Sequence, residues 1–410
     1  MAKSALTRRR FLATAAASAA APLVVPGTAL GNQDKAAPSD RVGLGHIGCG
    51  GRGRALMHIG RCRGAQSVFY CDPYKSRQRG NGTADFRELL ARDDVDAVVV
   101  ATPDHWHVPI ACAAAQAGKD MYVEKPLGVC IAEDLACRQA VARYGRVFQY
   151  GTQQRSSAHC RFGCELVRSG YIGEVKAIEV VAPNGGRGGS TTPSPPPPDL
   201  DYEMWIGPAP WAPYTKDRCK TPGTYWIYDY SIGFLGGWGA HPLDIMVWGY
   251  DIHKAGPVEV EGTGEIPSEG LYDTVINWDV RCHFANGLEL RFTPGGNYTK
   301  FIGTEGWVGI SRGGIQAQPP SLLDVTIRPD DIHLAESRHH GQNFIDAVRS
   351  RTRPVSHIDD AVRSDIISLL SDIAVRLGRP IRWDYAKERL ITDPEAERML
   401  LRPYRAPWRL

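Results

Sequence analysis

The sequence predicts an α/β protein in two parts: an N-terminal doubly wound parallel sheet, then a C-terminal α+β domain with a large, mostly antiparallel sheet. Three observations carry this. From residue 41 to about 155, short β-runs alternate with helical segments, as parallel βαβ winding requires. A glycine turn, "GCGGRG" (Gly48–Gly53), falls between the first β-run and the first helix. From about residue 160 several β-runs follow one another directly, which indicates antiparallel pairing in a second domain.

The elements follow in order. "RVGLGHIGCG" is a β-run and "GRGRALMHIGRC" has helical spacing. "AQSVFYCD" is a second strand, "DFRELLARDDV" a helix and "DAVVVAT" a third strand. "HVPIACAAAQAGK" is a helix closed by Gly118, a typical residue just past a helix end. "DMYVEKP" is a fourth strand, "IAEDLACRQAVARYG" a helix and "RVFQYG" a fifth strand. Beyond them "AHCRFGCELVRSG" reads as a helix and "EVKAIEVVAP" as a strand. "TTPSPPPPDLD" cannot form a ladder and is expected to be a surface arm or a polyproline turn. "PVEVEGTGEI", "DTVINWDVRCHF", "GLELRFTP" and "WVGIS" are β-runs, and two helices come late, "ESRHHGQNFIDAVRS" and "IDDAVRSDIISLLSDIAVRLG". The expected division is a leader over 1–29, a linker over 30–40, a cofactor domain over 41–155, an α+β domain over 156–385 and a C-terminal arm over 386–410.

The 410 residues are 43% hydrophobic and 23% charged, an ordinary globular composition. The net charge of +3 gives no reason to expect nucleic acid as a partner. Lys3, Arg8, Arg9 and Arg10 lie in the first 29 residues with no acid. "TRRRFLATAAASAAAPLVVPGTA" has a basic start, an Ala-rich run and small residues at Gly27 and Ala29, the layout of a targeting signal. Its Thr7-Arg8-Arg9-Arg10-Phe11-Leu12 order resembles the twin-arginine export motif, so a periplasmic or otherwise exported location is expected. The run is shorter than the ~20 residues a membrane helix needs, and no later segment is long and apolar enough. Twin-arginine export carries folded proteins, so the ten cysteines are expected to be mainly small core residues rather than disulfides. Cys160 and Cys164 in "HCRFGC" read as one helix face, and no spacing suggests a metal.

Gly48-x-Gly50-x-x-Gly53 has the strand–turn–helix context of a dinucleotide fingerprint. The first glycine permits the tight turn, the second lets backbone approach a pyrophosphate, and the third lets helix pack on strand. Cys49, Gly51 and Arg52 lie in the same turn, whose helix N-terminus faces the phosphates. Asp72 ends the second β-run, placed to accept bonds from the adenosine ribose hydroxyls. That acid favours NAD; Lys75 and Arg77 just beyond it leave NADP as the alternative. These features predict a Rossmann-type cofactor domain. Strands of such a sheet deliver functional groups at their carboxyl ends. "ATPDHWH", with Thr102, Pro103, His105 and His107, and "EKP", with Glu124 and Lys125, should therefore border the nicotinamide. A lysine there can hydrogen-bond a substrate oxygen during hydride transfer; the plain alternative is a surface ion pair with Glu124.

"GCGGRG", "ATPDHWH" and "AGKDMYVEKPL", followed by "GWGAHPLD" and "NFIDAVRSRTRPV", resemble the glucose–fructose oxidoreductase/inositol dehydrogenase/MocA (Gfo/Idh/MocA) family over nearly all of the chain after the leader. The ending resembles its exported branch. The resemblance implies a nicotinamide cofactor, a sugar or polyol substrate and a homodimer or homotetramer. It assigns Lys125 to the substrate hydroxyl, His241 to general acid/base work, and Asp244 to the same motif. One departure matters: many members carry an aspartate four residues before the histidine, where this chain has Gly237. Asp229 is the candidate replacement.

Trp226, Tyr228 and Tyr230 in "TYWIYDY" suit a sugar, rings on its C–H faces and hydroxyls on its OH groups, or else fill core. Arg155 is another candidate lining residue. Outside the cytoplasm free NAD would be diluted away, so a non-dissociating cofactor is expected. The reading is an exported NAD(P)-dependent oxidoreductase on a sugar or glycoside. The alternatives are an NAD-dependent glycosidase or lyase working by transient oxidation, elimination and re-reduction, and a non-catalytic periplasmic sugar-binding protein.

Overall fold

Five parallel strands form the first sheet, in the order β2-β1-β3-β4-β5. They are β1 (Val42–Ile47), β2 (Ala65–Cys71), β3 (Ala97–Val100), β4 (Asp120–Val123) and β5 (Phe148–Tyr150). The computed structural model describes Ala37 and residues 40–410, and Val42–Leu410 is the unit characterised below. The leader expected over 1–29 lies outside the described residues. The connecting helices are α1 (Gly51–Leu56), α2 (Phe86–Leu90), α3 (His107–Gln116) and α4 (Ile131–Arg143). β1, β3 and β4 are buried throughout, the expected state of parallel strands covered on both faces. The first expected helix is shorter than its spacing suggested: α1 passes into a 3₁₀ turn at Met57–Arg61.

After α5 (Ala158–Arg168) comes a nine-stranded sheet in the order β12-β11-β10-β6-β9-β8-β7-β13-β14. Its strands are β6 (Val175–Ala182), β7 (Val258–Glu265), β8 (Ile276–Phe284), β9 (Glu289–Pro294), β10 (Tyr298–Gly303), β11 (Trp307–Ser311), β12 (Gly314–Gln318), β13 (Ile381–Asp384) and β14 (Arg389–Leu390). Only β6–β9 is parallel; the other seven pairings are antiparallel. β8 alternates buried and more exposed residues, so one face packs on the core and the other meets solvent.

Between β6 and β7 lie α6 (Tyr202–Ile206), α7 (Phe234–Gly237) and α8 (Ala240–Gly249). The proline-rich stretch before α6 is irregular, as expected, and lies across the end of β2: Lys75 N donates to the Asp199 carbonyl and Asp201 N to the Pro73 carbonyl. Late in the chain, α9 (His340–Ser350) returns to the first sheet, packing Phe344, Ile345 and Val348 against Leu44, Val99 and Tyr122. Each such fully buried side chain contributes on the order of 1.5–3 kcal/mol. α10 (Ile358–Leu377) starts with a capping box, His357 with Asp360, and stops at left-handed Gly378. Its Asp365 accepts from Tyr150 Oη at 2.7 Å and from the Leu127 amide, which pins the loop following Lys125.

After α11 (Pro394–Met399) the chain runs back over both parts. Arg405 N donates to the Pro208 carbonyl at 2.8 Å and Arg405 Nε to the Gly207 carbonyl at 3.0 Å. Trp408 meets Trp106 edge-on, with ring centroids 4.8 Å apart. All ten cysteines are free thiols, and all but Cys62 are buried. Among the described residues no helix is long and apolar enough to cross a membrane, and no cluster of His, Cys, Asp or Glu could hold a metal ion.

Candidate active site

A cleft of about 530 Å³ opens at the carboxyl ends of β1, β2, β3 and β4. Gly48 turns at φ +85°, and a Cβ there would meet the Ala101 carbonyl carbon at 2.6 Å. A Cβ on Gly53 would strike the Gly48 carbonyl, whereas one on Gly50 would meet only the end of the Arg77 side chain, at 3.4 Å. The three fingerprint positions thus serve turn, open approach and helix packing. No side chain caps the start of α1, so its first amides are available to phosphate oxygens. The Thr102 hydroxyl, on the cleft wall, is buried without a partner. These features fit a dinucleotide, and Gly48, Gly50, Gly51, Arg52, Thr102, Pro103 and His107 are the residues that would hold it.

Asp72 is buried at the end of β2 and its carboxylate accepts from the Cys49 amide at 2.7 Å and the Tyr74 amide at 2.8 Å. Burial nonetheless raises its pKa above the usual carboxylate range. Arg77 stacks on Tyr74, 3.9 Å from the ring centroid, and also lines the cleft. His107 faces the Pro126 carbonyl at 2.6 Å and the Thr102 carbonyl at 3.0 Å, tying together the segments that follow β3 and β4. Met204, Trp205 and residues between Tyr214 and Tyr225 wall the opposite side.

Lys125 follows β4, is partly buried and lines the cleft. It is not paired to Glu124 by a hydrogen bond. Glu124 Oε1 instead accepts from Arg52 at 2.7 Å and Gln153 at 3.0 Å, while Lys125 Nζ donates to the Gly237 carbonyl at 2.5 Å. Burial lowers the Lys125 pKa, opposed by the Glu124 and Asp104 charges. The indole of Trp238 gathers the remaining groups: Lys125 Nζ lies 6.0 Å from its centroid, the Arg312 guanidinium 5.2 Å, and the His241 ring 5.6 Å edge-on. His241, on α8, is buried and its Nδ1 has no partner. Burial, then the Lys125 and Arg312 charges, hold it well below the ordinary histidine range.

Several expected site residues stand elsewhere. Arg155 and Asp244 are joined by bonds of 2.7–3.0 Å and are buried. Burial works against the Arg155 charge, but Asp244 and Asp360 outweigh it and raise its pKa. Neither offers surface to a ligand; the pair braces α8 behind His241. Tyr230 is buried with its hydroxyl on Arg218, and its ring packs 4.9 Å from that of His105. Trp226 is buried against Phe234, with ring centroids at 4.3 Å. His105, Tyr228 and Asp229 line a second, smaller cavity with Glu133, Arg402 and Tyr404. His105 therefore does not line the cofactor cleft, although Pro103, Asp104, Trp106 and His107 around it do; its ring packs instead against those of Trp205 and Tyr230. Tyr228 is held between Arg376 and Arg402, 3.5 and 3.7 Å from its centroid. Asp229 lines that second cavity and not the cofactor cleft.

Sequence reasoning did not single out Asp104, Trp238 or Arg312. Asp104 and Trp238 lie inside the motifs already noted, and only the fold shows that their side chains face the site. Arg312, on the turn after β11, has no local signal.

The comparisons agree with this geometry. The Gfo/Idh/MocA model described as an oxidoreductase family, NAD-binding Rossmann fold, matches residues 42–152. Its companion, the oxidoreductase family C-terminal alpha/beta domain, matches 186–410. A glycosyl hydrolase family 109 protein 2 of Shewanella sp. (strain ANA-3) is 36% identical over 162 residues, covering 32% of this chain and 36% of that protein. A family 109 protein of Shewanella pealeana is 29% identical, covering 42% and 44%. The match thus spans less than half the length of these relatives. An aldose-aldose oxidoreductase from Caulobacter crescentus, complexed with glycerol, superposes with TM-score 0.58 at 19% identity, over 83% of this chain and 99% of that one. A levoglucosan dehydrogenase, in complex with NADH and L-sorbose, gives 0.61 at 17%, over 84% and 99%. At such identities these likenesses show the shared fold. With its two family domains spanning most of its length, the chain belongs to the Gfo/Idh/MocA oxidoreductase family.

Proposed function

We propose that the protein is a nicotinamide-dependent oxidoreductase acting on a sugar or glycoside at a carbinol carbon, with its cofactor retained. The observation that carries this is Lys125 at the end of β4, on the wall of the dinucleotide cleft and 6.0 Å from the centroid of the indole that also contacts His241. The bound nicotinamide would accept the hydride. The Lys125 ammonium would hydrogen-bond the reacting oxygen, and His241, neutral at physiological pH, would take the hydroxyl proton. NAD is the favoured cofactor because Asp72 stands where a 2′-phosphate would be repelled; Arg77 in the cleft keeps NADP as the alternative. We place the protein outside the cytoplasm on the twin-arginine-like sequence, and its association as a dimer or tetramer on the solvent-facing side of the nine-stranded sheet.

A second reading has its own support. Gly237 stands where many members of the family carry an aspartate, and the family 109 relatives carry the name glycosyl hydrolase. Transient oxidation at C3 would acidify the C2–H and allow elimination of the aglycone, as its alcohol, across C1–C2; water would then add at C1 with a proton at C2, and the hydride would return to C3, with no net redox change. The deciding experiment is to dialyse the purified protein, denature it and identify released nucleotide, then incubate the native protein with glycosides. Near-stoichiometric NAD with keto-sugar products supports the first reading, and cleavage without net reduction the second. Protein that neither retains nor rebinds NAD overturns both and leaves a sugar-binding protein.

A further inference from the structure

Arg312 occupies the turn between β11 and β12, and that turn is built rather than loose. The Ser311 carbonyl accepts from Cys160 Sγ at 3.8 Å and lies 3.0 Å from His159 Nε2, both at the start of α5. Ser311 Oγ closes the turn on the Gly314 carbonyl at 3.1 Å. The turn holds the Arg312 guanidinium 5.2 Å from the Trp238 centroid, beside the indole that Lys125 and His241 also approach.

The charges around this point do not balance. Glu124 is engaged by Arg52 and Gln153, and Asp104 by the Ser231 hydroxyl. Arg312 makes no hydrogen bond or ion pair among the described residues, and it is exposed. Desolvation and then the Arg52 charge work against its cation and lower its pKa, only partly offset by the Glu124 charge. A guanidinium lying over an indole, with its donors unspent and other cations nearby, is suited to a carboxylate, which it can grip bidentately.

Resting on the oxidoreductase reading above, we propose that the preferred substrate is a sugar carrying a carboxylate, a uronic acid or its glycoside. Arg312, held over the Trp238 ring, is the specificity residue that binds the carboxylate. A neutral sugar of the same configuration leaves Arg312 without a partner and binds more weakly.

The test is calorimetric titration of the full-length protein, with and without added NAD. The probes are methyl glucuronides, galacturonides and mannuronides of both anomers, each paired with its neutral glycoside. We expect at least one uronide to bind about ten-fold or more tightly than its neutral partner. Arg312→Gln should abolish that preference, and Arg312→Lys should restore it only in part. An unchanged thermal transition shows that the variants fold. The inference is overturned if no pair favours the uronide, or if the preference survives in Arg312→Gln. Nicotinamide absorbance, followed in parallel, separates the two ideas. Uronide preference without NAD binding or reduction sinks the oxidoreductase reading alone; turnover restricted to neutral glycosides sinks the carboxylate inference alone.

Discussion

Lys125 and Gly237 are joined by a 2.5 Å hydrogen bond from ammonium to carbonyl, which links the end of β4 to the helix that leads into His241. An ammonium has three protons, so this bond orients the side chain without exhausting it. The same bond sets Lys125 beside the one position where the family pattern is broken.

Replacing Lys125 by Met should therefore lower turnover by about 10²–10⁴-fold, the range for removing a group that stabilises charge in the transition state. Affinity for NAD should stay within a few-fold, because the glycine turn and Asp72 are untouched. Steady-state kinetics beside a fluorescence titration with NADH measures both. Turnover near wild type would remove Lys125 from the chemistry.

Gly237→Asp reinstates the family carboxylate. A Cβ there meets only Phe234 Cδ1 at 3.8 Å, an ordinary contact, and the residue does not need a positive φ. The new negative charge favours protonated His241. The acid limb of the pH–rate profile should move to higher pH than in wild type, where His241 is depressed by burial and by Lys125. An unmoved limb would mean that the new side chain does not reach the histidine.

Arg155→Met should unfold the protein at markedly lower denaturant concentration, costing about 3–5 kcal/mol, because it leaves buried Asp244 without its partner. A double variant, Arg155→Met with Asp244→Leu, should recover part of the loss. Full stability with altered substrate affinity would restore the lining role expected from sequence.

His105 is buried, and its pKa is lowered to about 3, first of all by desolvation. In the unfolded chain it titrates near the ordinary 6.5, so its neutral form favours the fold fully above that pH. The contribution is lost as pH falls from about 6.5 towards 3. Urea midpoints of wild type and His105→Gln, compared from pH 7.5 to pH 4.5, should converge on acidification. A constant gap would contradict the burial argument.

Trp408→Ala removes a ring that packs on Trp106 and Phe86, two residues of the cofactor cleft wall. We expect a loss of about 1–2 kcal/mol in stability and faster escape of bound nucleotide during dialysis, with catalytic residues unchanged. Equal retention in the variant would show that the C-terminal arm does not guard the cleft.

The parallel sheet was legible because "DAVVVAT" and "DMYVEKP" are short apolar runs spaced by helices, and both emerged as β3 and β4. "WVGIS" is β11 residue for residue. β10 and β12 went unread because each lies among glycines, and pairing with β11, and for β10 also with β6, rather than local propensity stabilises them. In the site, the glycine turn and "EKP" showed themselves because each role is confined to a few consecutive residues. Arg155 and Asp244 did not, since a buried ion pair and a ligand-facing pair use the same side chains. Arg312 reaches Trp238 only through tertiary placement.

The ten free thiols bear on where such a molecule can survive. Burial pushes Cys49 and Cys130 up to about 12 and Cys62 up to about 11. Only a trace of thiolate then exists at neutral pH at these positions, and thiolate is the form that attacks peroxides and disulfides. In oxidising surroundings these sulfurs would age slowly, sheltered by protonation and by walls of side chains, without needing to be crosslinked.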